Sequence, residues 1–333
     1  MRPFVLCLAA FLPAPALAQS NPPAAPLGLA PLVWPADDPY SPAKAELGRA
    51  LFFDGRLSAN NALSCAGCHD PAHVFSAPGA FSLGVDGQRT PRRAPTLINR
   101  DWGKTQFWDG RSSTLESQAA SPMTNQHEMG MTPEDIVAKL SSIKGYAPLF
   151  QSAFGDPQIT MARIAQAIAT FERTIVSGNS PFDRYAAGDK TALSKKAKAG
   201  FDFFNGKGEC SECHNGPNMS DEKFANLGVG MAAAEPDPGR EAVTHKKSDF
   251  GKFKVPSLRD VARRAPYMHD GSLRTLSDVL DFYARGGLPN PHVDDRLLKF
   301  YLDEETKSNL LAFLESLNGE GWQNIKPPDR LPE

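Results

Sequence analysis

Two pentapeptides could carry the chemistry of this chain: Cys65-Ala66-Gly67-Cys68-His69 and Cys210-Ser211-Glu212-Cys213-His214. Each reads C-x-x-C-H, the attachment signal for a c-type haem. The spacing follows from the reaction. Two thiols add to the two vinyl groups of one porphyrin, and the adjacent imidazole lies under the iron as its proximal ligand. A redox C-x-x-C pair has no use for the following His and belongs in a βαβ setting for which this sequence offers no pattern. A structural zinc site would gather the four thiols tetrahedrally and leave both His residues unexplained. Chance is a poor account of two copies, because the chain has only five Cys and seven His in 333 residues. Two covalent haem c groups are therefore expected on Cys65, Cys68, Cys210 and Cys213, with His69 and His214 as iron ligands.

The fifth cysteine, Cys7, falls within residues 1–18, where Arg2 precedes an apolar run that ends in Ala16-Leu17-Ala18. This stretch reads as a secretory signal peptide with an A-x-A cleavage site. Pro13, Pro15 and the shortness of the run argue against a membrane span. Covalent haem attachment also requires export, so both features predict a periplasmic protein. Basic and acidic residues nearly balance, 36 against 38. No basic block suggests nucleic acid or anionic lipid, and no later apolar run approaches the roughly 20 residues of a membrane helix.

Helices must position the two motifs, since strand patterns are almost absent. Residues 19–42 are rich in Pro and predict an extended arm over the body. A helix is expected from Ser41-Pro42 to about Phe53, with Leu47, Leu51 and Phe52 on one face. Thr132-Pro133-Glu134-Asp135 starts another. A third starts near Thr160, carries Ile164, Ile168, Phe171 and Ile175, and is expected to end at Gly178. The polar stretch 180–190 reads as a hinge. Further helices are expected from Ser194, from Thr275 with Leu276, Val279, Leu280 and Tyr283 inward, and from about Thr306 to Leu317. The expected class is all-α with long irregular loops, in two cytochrome-c-like haem lobes at 43–185 and 186–333.

Three further stretches carry a resemblance. Gln106-Phe107-Trp108-Asp109-Gly110-Arg111 follows the first haem motif; Phe253-Lys254-Val255-Pro256-Ser257-Leu258-Arg259 and Pro266-Tyr267-Met268-His269-Asp270-Gly271 follow the second. From about Leu47 to Leu317 the chain resembles the bacterial di-haem cytochrome c peroxidase superfamily, which includes the MauG enzymes. The resemblance implies that the N-terminal haem is the peroxide-reactive one. It matches Gln118 and Glu128 to the distal-pocket Gln and Glu, and Trp108 to the aromatic residue between the haems. Hydrogen peroxide is then the oxidant. The reductant would be a periplasmic protein substrate or, in a detoxifying cytochrome c peroxidase, a small cytochrome c or cupredoxin.

Departures from the family pattern narrow this expectation. Other cytochrome c peroxidases place a His between the first haem motif and the Trp108 stretch, where it closes the reactive iron; residues 74–107 here contain none. His73 is too near His69 to reach the opposite face. The position that is Met in those enzymes is Tyr283, as in MauG, and Met231 and Met268 are its rivals as ligand of the second iron. A thioether raises haem potential; a phenolate should lower it. Calcium between the haems is doubtful, because Arg93 and Arg264 stand where the family has oxygen ligands. Gly208 replaces the surface Trp through which MauG oxidises its protein partner, so maturation of methylamine dehydrogenase is not expected.

Overall fold

A computed structural model describes residues 21–333. The expected signal peptide at 1–18, with Cys7, lies outside the described residues. The helices, in order, are α1 Pro42–Phe53, α2 Cys65–Cys68, α3 Leu115–Thr124, α4 Pro133–Ser142, α5 Tyr146–Phe154, α6 Met161–Arg173, α7 Pro181–Ala186, α8 Lys195–Asn205, α9 Glu241–Thr244, α10 Leu276–Ala284 and α11 Glu304–Glu315. Two antiparallel pairs of two-residue strands accompany them: β1 Ser177–Gly178 with β4 Glu320–Gly321, and β2 Phe224–Ala225 with β3 Phe253–Lys254. Helices dominate the regular structure, and long irregular segments join them.

Local capping explains where most helices start. Ser41, Thr132, Thr160, Ser194 and Thr275 each accept a backbone N–H in the first turn of α1, α4, α6, α8 and α10. Three features differ from the sequence expectation. The helix expected to reach Gly178 stops at Arg173, because Ser177 exchanges hydrogen bonds with the Asn99 side chain at 2.8 and 2.9 Å and then pairs in β1. The last helix begins at Glu304, before Thr306, because Asp303 accepts from Thr306 N at 2.7 Å. The expected hinge contains α7, fastened by a capping box between Ser180 and Asp183.

Two apolar clusters form. The first joins Leu47, Leu51 and Phe52 of α1 to Ile164, Ile168 and Phe171 of α6. The second joins Phe204 of α8 to Leu310, Phe313 and Leu314 of α11, with Leu276 and Leu280 of α10. Each rests on a helix pair that crosses at a glycine. Gly48 of α1 lies against the Ala167 backbone and Phe171 of α6; Gly200 of α8 lies against the Asn309 backbone and Phe313 of α11. A Cβ at either glycine would run into the facing carbonyl, so the crossing is as close as backbone allows.

Contacts between segments remote in sequence join the arm, the two halves of the chain and its C-terminal end. Arg259 pairs with Asp183 at 2.5 Å, both buried, and donates to Gly28 O of the arm at 3.2 Å. Trp322, beyond α11, packs in the first cluster and donates to Asp260 at 3.3 Å. Arg100 pairs with Glu222 at 3.0 Å across 122 residues of sequence.

Candidate functional site

The first haem motif is one short helical turn, α2, with His69 at its C-terminal end donating its backbone N–H to Cys65 O at 2.9 Å. The His69 Nδ1 lies 3.2 Å from Phe75 O and 3.0 Å from Pro95 O. Two carbonyl neighbours require a proton on Nδ1, which leaves the Nε2 lone pair free for a metal. Burial pushes this imidazole down to about 4, holding the neutral form that ligation needs. His214 repeats the arrangement. Its Nδ1 faces Met219 O at 3.2 Å, and burial again pushes it to about 4.

A cavity of about 880 Å³ opens against the first motif, and its wall includes Cys65, Cys68, His69, Trp108, Gln118 and Glu128. Gln118 reaches it from α3, which Thr114 caps; its side chain is buried and Oε1 has no partner. Glu128 sits in the loop after α3. Val85 N donates to Glu128 O at 2.7 Å and Met129 N to Pro122 O at 3.2 Å. That approach depends on Gly84, where a Cβ would collide with His127 O. Burial raises the Glu128 carboxyl above the usual range, while Arg111 and Asn125 act the other way. Trp108 is fixed by its ring N–H, which donates to Arg93 O at 2.8 Å. Its edge meets His269 at 6.4 Å between centroids, and His269 stacks on Phe253 at 3.5 Å.

The second station is separate. Cys210, Cys213, His214 and Tyr283 are not in the wall of the first cavity. Tyr283 lies on α10; burial raises its phenol well above the ordinary range, and the neighbouring Cys210 and Cys213 thiols add to the effect. Of the rival Met residues, Met268 lines the first cavity instead, and Met231 Sδ sits against Gly251.

One residue in the first cavity escaped the sequence reading. Glu172 of α6 is 3% exposed with one carboxylate oxygen unpartnered, and burial pushes its carboxyl up to about 8. A signal existed. Ile164, Ile168 and Glu172 recur every fourth residue, so an acid occupies the apolar face of α6.

Thiol pairs each followed by a neutral imidazole, the first beside a space of cofactor size, suit covalent haems. The di-haem cytochrome c peroxidase family matches residues 42–191. The chain is also 42% identical to methylamine utilization protein MauG of Methylorubrum extorquens, over 86% of this chain and 81% of that protein. The chain belongs to the di-haem cytochrome c peroxidase family. It is 36% identical to cytochrome c551 peroxidase of Nitrosomonas europaea, covering 90% of this chain and 88% of the relative. The crystal structure of a MauG-like protein associated with microbial copper homeostasis superposes with a TM-score of 0.84 at 34% identity, over 92% of this chain and 98% of that one. As a di-haem cytochrome c peroxidase family member the chain is an oxidoreductase, a haem peroxidase with two covalently bound haem c groups. Among the described residues no helix is long and apolar enough to cross a membrane.

Proposed function

We propose that this is a periplasmic, MauG-like di-haem peroxidase in which residues 43–185 hold the peroxide-reactive haem and 186–333 the second. The observation that carries the reading is a shared wall: Gln118, Glu128 and Trp108 line the same cavity as Cys65, Cys68 and His69. The haem on Cys65 and Cys68 would supply the iron at which hydrogen peroxide is cleaved.

The protein's part is positioning and proton movement. Glu128, raised by burial, takes the proton from the near oxygen of peroxide and delivers it to the far oxygen, which leaves as water. Gln118, with an unpaired buried oxygen, holds the bound peroxide through its amide. No imidazole from residues 74–107 can close this iron. Tyr283, beside the second thiol pair, would give up its phenol proton on binding the second iron, and the phenolate would favour the more oxidised state. So ligated, the second haem would supply a place for an oxidising equivalent and would be a poor entry port for electrons, with Trp108 as the residue that would link the two sites. The final reductant is a protein side chain or a small redox protein.

Resting protein should show a high-spin ferric signal from the first haem by electron paramagnetic resonance, and one equivalent of peroxide should change both haem spectra. Two low-spin signals at rest would overturn the reading. The relatives named cytochrome-c peroxidases favour a second reading, a detoxifying enzyme. Sustained turnover with reduced cytochrome c or a cupredoxin as sole donor would select it.

A further inference from the structure

Two buried cations lie between the haem stations, and neither makes an ion pair among the described residues. Arg93 and Arg264 are 4% and 8% exposed. Arg93 donates from Nη2 to Ala77 O at 2.5 Å, to Ser76 Oγ at 3.1 Å and to Arg264 O at 3.1 Å; Arg264 donates from Nη2 to Ser257 O at 2.5 Å. All these acceptors are neutral. The Nε of each is buried and unpartnered. Asp260 acts on Arg264 from a distance but is itself held by Arg263 at 3.2 Å, by Ser177 and by Trp322.

Both arginines line the cavity that Cys65, Cys68 and His69 also line. Arg93 lies two residues before Pro95, whose carbonyl faces His69 Nδ1 at 3.0 Å, and Arg264 donates to Ser257 O, next to Pro256, whose backbone carbonyl meets His214. The pair therefore stands beside both stations. Burial lowers each to about 10, so both remain charged at neutral pH. Two like charges buried together in one cavity wall, each with N–H groups left without an acceptor, call for an anion. The planar guanidinium fork suits a carboxylate, and every haem carries a pair of propionate carboxylates.

We propose that Arg93 and Arg264 form a cationic clamp for the haem propionates where the two haems face each other. The inference rests on the covalent haems and not on the peroxide chemistry, so the two can fail separately. A cation beside a propionate offsets its negative charge and favours the reduced iron, which raises the midpoint potential.

The test uses holoprotein with two haems per chain verified by pyridine haemochrome, read by spectroelectrochemical titration and by the propionate-bending bands in resonance Raman. Arg93→Gln and Arg264→Gln should each lower a midpoint potential and shift those bands. Arg93→Lys and Arg264→Lys should keep the potential, since the charge stays, yet still shift the bands, since the fork is lost. Unchanged bands and potentials in the Gln variants would overturn the clamp. So would wild-type potentials that follow added chloride while the bands stay fixed in every variant, which would assign the pair to a free anion. Should a Gln variant fail to load haem, the Lys variant decides, and unshifted bands there refute the proposal.

Discussion

Glu128 and Tyr283 each depend on what burial does to one proton. A carboxyl raised by burial is a usable base only above its raised pKa, so the rate of reaction with peroxide should fall as pH drops through a value above the ordinary 4.5. Glu128→Gln should remove that limb and slow the reaction by roughly 10²–10⁴-fold, the usual worth of a positioned acid–base group; stopped-flow spectra of both haems would show it. At the second station, Tyr283→Met should raise the midpoint potential of one haem, because a thioether replaces an anionic oxygen. A potentiometric titration in which neither haem moves would separate Tyr283 from the iron.

The helices set these side chains by close crossings and by one misplaced acid. Gly48→Ala and Gly200→Ala would each push a methyl into a facing carbonyl. Each should lower stability by about 1–3 kcal/mol, the usual range for overpacking, against a gain of about 1 kcal/mol in helix propensity; denaturant unfolding measures the balance. Glu172 makes α6 sensitive to pH. Its folded pKa, about 8, lies above its unfolded value, so its stabilising contribution is complete below about 4.5 and fades as pH rises towards 8. Glu172→Gln should therefore flatten the fall in unfolding midpoint between pH 5 and 8. An unchanged profile would show that this carboxyl does not titrate with folding.

At the scale of the whole molecule, buried ion pairs tie the arm and the two apolar clusters together. Arg259 meets both Asp183 and the arm at Gly28. Arg259→Met should destabilise by about 3–5 kcal/mol by stranding a buried carboxylate, and the double variant with Asp183→Asn should recover part of that loss. Equal losses in the single and double variants would show that packing, not charge, holds the junction. The chain end follows the same logic. Trp322 is remote in sequence from the first cluster but packs in it, and so divides its contacts between the two halves of the chain.

The sequence by itself determined the features that act over a few residues. The paired C-x-x-C-H motifs state their chemistry within five positions, and Thr132, Thr160 and Thr275 begin helices because a hydroxyl reaches an amide one turn away. Gln118 and Glu128 were legible only through resemblance, since neither residue's own neighbourhood marks it. Tertiary structure alone decided the rest. Glu172 is an acid facing a cavity only because α6 packs on α1 and α3, and Arg93 meets Arg264 O across 171 residues. The first of these depends on how closely Gly48 lets α1 approach α6, which no local periodicity expresses.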